Sequence, residues 1–140
     1  MRQYVVVGDN AAVTTMDYAG LQDQQAELDL YLEQLAAVSH AEFESWPATA
    51  QLAFLINAYN AWTVKLVLSG YPGIRSIKEL GNWFNTPWEK QFISLLGASR
   101  SLDDIEHGLI RGSGRYRDPR IHFAVNCASV GCPALRAEAY

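Results

Sequence analysis

The chain has 140 residues, of which 49% are apolar and 19% charged, and its formal net charge is −4. A chain of this length can bury a sizeable core, so we treat residues 1–140 as a single domain. The acidic balance argues against nucleic-acid binding, which needs a basic face, and two cysteines are too few for a fold built on disulfides.

A membrane-spanning segment is not predicted. The longest apolar stretch, residues 48–68, is interrupted by polar and charged side chains, which makes it a poor membrane span. The N-terminal residues lack the continuous apolar region of a signal peptide. An exported or periplasmic location would require that a signal peptide has been removed, so the sequence leaves the compartment unknown.

The first half of the chain is predicted to be mostly helical after one short strand. β-branched residues predict a strand over 4–7, closed by a turn over 8–10. Apolar residues at helical spacing predict a helix over 17–37, followed by a short helix over 41–45. A proline suited to a first helical turn opens a long helix over 47–68, which Gly and Pro then end.

The second half is predicted to be less regular. We expect a helical turn over 76–80, a loop over 81–88 and a strand over 90–96 that a turn over 97–100 follows. Ser101 and Asp104 resemble a capping box and predict the start of a helix that Gly112 ends.

A strand is then predicted over 121–125. Taken together, these elements predict a helix-rich α+β domain in which a long buried central helix packs on a small sheet.

Asn57 and Asn60 interrupt the long helix, which is apolar in nearly every direction. At about 100° per residue, five apolar residues lie within about 40° of Asn57: Ala50, Ala53, Ala61, Val64 and Leu68. A buried amide must find hydrogen-bond partners. One interpretation is that both amides bind neighbouring loop backbone and fix its position. The other places them beside a reacting group, where they would hold an oxyanion or orient a histidine.

Glu106 lies on the apolar face of the helix that follows Ser101. Four apolar residues span an arc of about 140° that contains Glu106, and His107 lies at its rim. These apolar residues are Leu102, Ile105, Leu109 and Ile110. A carboxylate on an apolar helix face forms an ion pair, accepts hydrogen bonds or has a raised pKa. It either forms an ion pair with Arg115 or Arg117, or it acts as a general acid or base or orients a histidine.

The segment 118–133 carries the third unusual pattern. In a straight strand His122 and Asn126 share one face, and Cys127 follows at the strand end beside a tight turn. Backbone N–H groups of such a turn favour ionisation of a thiol. A pair between Cys127 and His122 requires the chain to turn after Asn126.

Four interpretations of Cys127 and Cys132 stay open at this point. They are buried structural thiols, or they form a local disulfide in an oxidising compartment. Alternatively Cys127 is a nucleophile with His122 or His107 as its base. Finally, they contribute to a metal site, for which a Cys-x4-Cys spacing without a second pair is a weak signal.

Three motifs resemble the family catalogued as domain of unknown function 547. They are FLINAYNA over 54–61, SLDDIEHGLIR over 101–111 and DPRIHFAVNCASVGCP over 118–133. The resemblance runs from about residue 15 to the last residue. Family members occur in bacteria, often exported, and in plants, and no activity is established from which a residue's role could be carried over.

The resemblance implies a helix-rich α+β fold, related to papain-like or transglutaminase-like cores. That relation would put His122 where such folds carry their histidine, and Asn57 where they carry their cysteine. The family domain extends beyond Tyr140, so we expect an exposed apolar edge that a missing segment or a second chain covers.

We therefore hypothesise a cysteine hydrolase or acyltransferase that acts on amide or peptide-like substrates without a cofactor or metal. Its catalytic candidates are Cys127, His122 and Glu106, and its supporting candidates are Asn57, Asn60, His107 and Asn126. The alternative is a non-catalytic binding or structural module in which Asn, Glu and His side chains form a buried polar network. The ligand would be a small molecule or peptide-like.

Overall fold

A computed structural model describes residues 4–7, 14–129, 132–136 and 138–140, and the structural statements below concern these residues. The predicted strand is present as β1 (Val5–Val7), which pairs antiparallel with β2 (Thr14–Met16). The turn predicted over 8–10 lies outside the described residues.

The helix predicted over 17–37 is divided into α1 (Tyr18–Asp23) and α2 (Gln25–Ala37). Asp17 caps α1, because its Oδ1 accepts a hydrogen bond from the backbone N–H of Gly20 at 3.0 Å. At Gln24 the backbone leaves helical geometry, with φ −121° and ψ 30°, so α1 ends and α2 begins at this residue.

The two helices predicted next are confirmed as α3 (His40–Ser45) and α4 (Ala48–Leu68). Ser39 starts α3, since its Oγ accepts from the backbone N–H of Glu42 at 3.1 Å. α4 has 21 residues without an internal Gly or Pro, which favours an unbroken helix.

α4 is the central helix of the core. It contacts α2 on one side and the helical segment after Ser101 on the other. Lys65 of α4 forms an ion pair with Asp29 of α2 at 2.5 Å. Many of its apolar side chains are buried, and they point in several directions: Phe54, Leu55, Ile56, Ala58, Tyr59, Ala61, Val64, Leu66, Val67 and Leu68.

A second β-hairpin follows two short 3₁₀ helices. β3 (Ile93–Leu95) pairs antiparallel with β4 (Ala98–Arg100), so the predicted strand is confirmed and part of the predicted turn is itself a strand. Leu96 and Gly97 form the two-residue turn with φ values of 54° and 75°. Positive φ at both positions is typical of the turn that matches hairpin twist. α2 contacts β3.

The predicted capping box is confirmed. The backbone N–H of Asp104 donates to Ser101 Oγ at 3.0 Å, and the backbone N–H of Ser101 donates to Asp104 Oδ2 at 2.8 Å. The helix then continues as a π-helix over Asp104–Arg111. Its last bond runs from the Gly112 N–H to the His107 oxygen, five residues back, at 2.8 Å.

The strand predicted over 121–125 is wrong, because this region contains the 3₁₀ helix Pro119–Phe123. Asp118 caps it by accepting from the backbone N–H of Arg120 at 2.9 Å, and Pro119 occupies its first turn. These local bonds favour a turn over an extended strand. The helix-rich α+β fold predicted from the sequence is confirmed. None of the described helices is both long and apolar enough to cross a membrane.

Candidate functional site

Asn60 joins α4 to the chain that follows the last 3₁₀ helix. Its Nδ2 donates to the backbone oxygen of Ala124 at 2.9 Å, and its Oδ1 accepts from the backbone N–H of Asn126 at 2.8 Å. The side chain is buried, with 4% exposed. The interpretation that this amide fixes loop backbone is confirmed.

Asn126 repeats the same arrangement further along the chain. Its Nδ2 donates to the backbone oxygen of Pro133 at 2.6 Å, and its Oδ1 accepts from the backbone N–H of Ala128 at 2.9 Å. Asn60 and Asn126 therefore hold in place the described residues after the 3₁₀ helix, which belong to no helix or strand.

Asn57 binds the last part of the chain, which we call the C-terminal segment (residues 132–136 and 138–140). Its Nδ2 donates to the backbone oxygen of Tyr140 at 3.2 Å, and its Oδ1 accepts from the Tyr140 N–H at 3.0 Å. The Arg136 guanidinium lies 4.9 Å from the centre of the Tyr140 ring, in cation–π geometry.

Cys127 and Cys132 form a disulfide with Cα atoms 6.3 Å apart. Of the four interpretations of these cysteines, the structure therefore shows the local disulfide. A disulfide sulfur is not a thiolate, so nucleophilic chemistry at Cys127 would require reduction first. No group of three or more His, Cys, Asp or Glu residues that could hold a metal ion occurs among the residues that the structure describes.

The two candidate histidines are exposed and have other neighbours. His122 is in the 3₁₀ helix, with its ring 5.8 Å from that of Phe123. Because that region is not a strand, the prediction that His122 and Asn126 share a strand face is wrong. His107 Nε2 lies 4.0 Å from Asp103 Oδ1, one helical turn earlier.

Glu106 is paired, but with Arg111 rather than with either predicted arginine. Its Oε1 accepts from Arg111 Nε at 3.1 Å and from Nη2 at 3.0 Å. Hydrogen bonding over five residues in a π-helix brings side chains five apart to one face. Arg115 instead binds Glu44, with bonds of 3.1 and 3.0 Å.

The Glu106 carboxylate also lies beside the Tyr59 hydroxyl of α4. Burial raises the pKa of the Tyr59 phenol, and the neighbouring carboxylate raises it further. Tyr59 is 1% exposed and stays a neutral hydrogen-bonding group. Within the described part of the chain, no hydrogen bond links this pair to the three asparagines.

Two cavities flank Tyr140 on one face of α4. The first, of about 500 Å³, lies between α2, α4 and the C-terminal segment. The second, of about 430 Å³, lies between α4 and the 3₁₀ helix Pro119–Phe123. Tyr140 and Arg136 line both cavities. The two cavities are therefore the two ends of one groove, which we call the α4 groove. α4 lines this groove with Thr49, Leu52, Ala53, Ile56, Asn57 and Asn60.

Sequence reasoning missed three groups that the structure uses. Tyr140 and Arg136 complete the α4 groove, and nothing in their local sequence marks them. Gln51 is buried in α4, where its Oε1 accepts from Arg115 at 2.8 Å and from the Tyr116 hydroxyl at 2.9 Å. It could have been found by the test that selected Asn57, since it is also an amide on an apolar helix.

Comparison with known proteins gives a single assignment. The searches of curated proteins and of solved structures found no match. The family model described as "Protein of unknown function, DUF547" matches residues 43–140, which is more than half of the chain. This match covers α4, the π-helix and all three asparagines. The chain therefore belongs to the DUF547 family.

Proposed function

We propose that this domain is a binding module that holds an extended peptide-like segment in the α4 groove. The observation that carries the proposal is the pairing of Asn57 with both main-chain groups of Tyr140, at 3.2 and 3.0 Å. A side-chain amide that binds one N–H and one oxygen of the same residue recognises peptide backbone rather than a particular side chain.

The walls of the α4 groove suit a segment that carries an aromatic side chain. Arg136 lies over the Tyr140 ring, and space remains on both sides of that ring. The first cavity combines apolar side chains such as Leu28 with the polar groups of Glu27 and Tyr31. An apolar pocket with a few convergent polar groups is the usual form of a ligand site.

A cysteine hydrolase or acyltransferase acting on a peptide-like substrate is the second hypothesis. It needs Cys127 as a thiolate with a histidine base. Cys127 is bonded to Cys132, and among the described residues neither His107 nor His122 is hydrogen-bonded to it. The binding module requires no reduction of the disulfide, only displacement of Tyr140 from Asn57, so it agrees better with the observed geometry.

The test is a titration of the full chain with N-acetyl-Ala-Glu-Ala-Tyr-amide, followed by two-dimensional amide NMR. In the wild-type chain the peptide competes with Tyr140, which is tethered at high effective concentration. We expect Tyr140→Pro, which removes the N–H that binds Asn57, to weaken this competitor and to bind the peptide at least about tenfold more tightly than the wild type. We expect the added Asn57→Ala change to abolish that gain.

Asn85→Ala in the Tyr140→Pro background is the matched control, because Asn85 is an exposed asparagine outside α4. Equal peptide affinities for wild type and Tyr140→Pro would contradict the proposal, as would binding that Asn57→Ala leaves unchanged. Cleavage of the peptide by the reduced protein, abolished by Cys127→Ser, would support the hydrolase instead.

A further inference from the structure

The loop over residues 81–88, which we call the aromatic loop, has an unusual composition and exposure. Its sequence GNWFNTPW contains no charged residue. Trp83 is 95% exposed and Phe84 is 87% exposed, more than any other large apolar side chain among the described residues. Large aromatic side chains placed side by side in solvent mark an interaction site.

The tip of the aromatic loop is held in one conformation by Asn82. Its Oδ1 accepts from the backbone N–H groups of Phe84 at 2.9 Å and Asn85 at 2.8 Å. The Asn82 N–H donates to the Asn85 oxygen at 3.0 Å. Gly81 permits this closure, because a Cβ there would lie only 2.9 Å from that same oxygen. Trp83 and Phe84 are thus presented on a closed turn.

The base of the aromatic loop is fixed as well. Glu89 Oε2 accepts two hydrogen bonds from Thr86, one from the backbone N–H at 2.7 Å and one from the side-chain hydroxyl at 2.9 Å. Pro87 between them is buried. A loop fixed at its base and its tip loses little conformational entropy when its aromatic side chains are buried by a partner.

One lysine side chain lies beside the aromatic pair, and a second lysine follows the loop in the sequence. Lys78 lines a recess of about 330 Å³ together with Trp83 and Phe84, and Lys90 directly follows the base of the loop. The nearest carboxylates in the sequence, Glu79 and Glu89, accept hydrogen bonds from backbone N–H groups. Within the described ranges, neither lysine forms an ion pair.

We propose that the aromatic loop docks this domain on the surface of a lipid bilayer that contains anionic lipid. Trp83 and Phe84 are almost fully exposed at the tip of a closed turn, so the partner must accept an inserted apolar tip. The bilayer interface does so, and tryptophan is enriched there. Lys78 and Lys90 would lie at the level of the headgroups, where anionic lipid attracts them. This mode of attachment needs no membrane-spanning helix.

The test is co-sedimentation of the full chain with vesicles of phosphatidylcholine and phosphatidylserine. We expect Trp83→Ser/Phe84→Ser to lower the partition coefficient at least about tenfold, because most of the inserted apolar area is lost. We expect Lys78→Glu/Lys90→Glu to reduce binding to these vesicles more than binding to phosphatidylcholine alone. Brominated lipid should quench the fluorescence of the wild type more than that of Trp83→Phe.

Leu30→Ser is the matched control, because Leu30 is an exposed apolar residue (58%) on α2, outside the aromatic loop. It should bind vesicles as the wild type does. The proposal is overturned if the wild-type chain does not sediment with the vesicles, or if Trp83→Ser/Phe84→Ser binds as well as the wild type. Lipid-free self-association that depends on Trp83 would also overturn it, because the tip would then contact a second copy.

Discussion

Asn60 shows how much one buried amide can hold. In Asn60→Ala the backbone oxygen of Ala124 and the backbone N–H of Asn126 both lose their partner. Each unsatisfied buried group costs about 1–3 kcal/mol, and because these two groups are only partly buried we expect the free energy of unfolding to fall by about 2–4 kcal/mol. Urea denaturation followed by far-UV circular dichroism measures this loss.

Asn57→Ala is the comparison for that prediction, since it removes the same type of side chain from the same helix, three residues earlier. The bonds from Asn57 to Tyr140 are open to solvent, where water replaces them. We expect a loss below about 1 kcal/mol. If both variants lost the same free energy of unfolding, burial of Asn60 would not explain the larger effect that we expect for it.

The sequence could identify several polar residues that the structure uses, but not all of their partners. Asn57, Asn60 and Glu106 were found because each interrupts an apolar pattern. The partner of Glu106 was missed because an α-helical wheel does not place Arg111 beside it, whereas a π-helix does. Tyr140 was missed because its contact spans 83 positions and leaves no local trace.

At the level of elements, the capping box before the π-helix gives a pH-dependent prediction. Hydrogen bonds from the Ser101 backbone, and then from Gln91, hold the pKa of Asp104 below its usual value. A lowered folded-state pKa contributes stability above the unfolded pKa of about 4, and this contribution is lost as the pH falls through the folded value. We expect Asp104→Ala to lower the free energy of unfolding by about 1 kcal/mol at pH 7.

Asp103 is the control next in sequence. Burial raises its pKa, so folding does not favour its charged form. Asp103→Asn should therefore cost less than Asp104→Ala in denaturation at neutral pH. Asp104→Asn should flatten the loss of stability below about pH 4 that the wild type shows. An unchanged acid profile in Asp104→Asn would contradict the assignment.

Element prediction succeeded where one pattern dominated and failed where local bonds competed with it. α4 was found because its length, apolar content and end signals agree. The strand predicted over 121–125 failed because Asp118 and Pro119 fold that stretch locally. The break at Gln24 carries no Gly or Pro, so the division between α1 and α2 has no signal in the sequence.

For the whole molecule, the disulfide and the asparagine bonds act on the same part of the chain. We expect Cys127→Ser/Cys132→Ser to lower the free energy of unfolding by about 2 kcal/mol, because the unfolded chain gains the freedom of a short loop. Amide hydrogen exchange at Ala128, which bonds to Asn126, should become faster. Chemical denaturation and exchange mass spectrometry measure the two effects.

A reducing agent supplies the control. It should lower the stability of the wild type to that of the double serine variant, and it should leave the double variant unchanged. A wild type that is insensitive to reduction, or a double variant as stable as the oxidised protein, would show that the asparagine bonds alone hold this region.

The three asparagines bind main-chain atoms only, and this has a consequence for redesign of the second half of the chain. Side chains at positions 124 and 140 can be exchanged without removing any of these bonds, whereas Ala128 has a φ of 56°, at which a β-branched or bulky side chain is strained. Proline is the exception at 126, 128 and 140, because each position donates its backbone N–H to an asparagine. The path of this region is thus specified by Asn57 and Asn60 of α4 and by Asn126 within it, so the side chains at 124 and 140 can be changed to suit a different ligand.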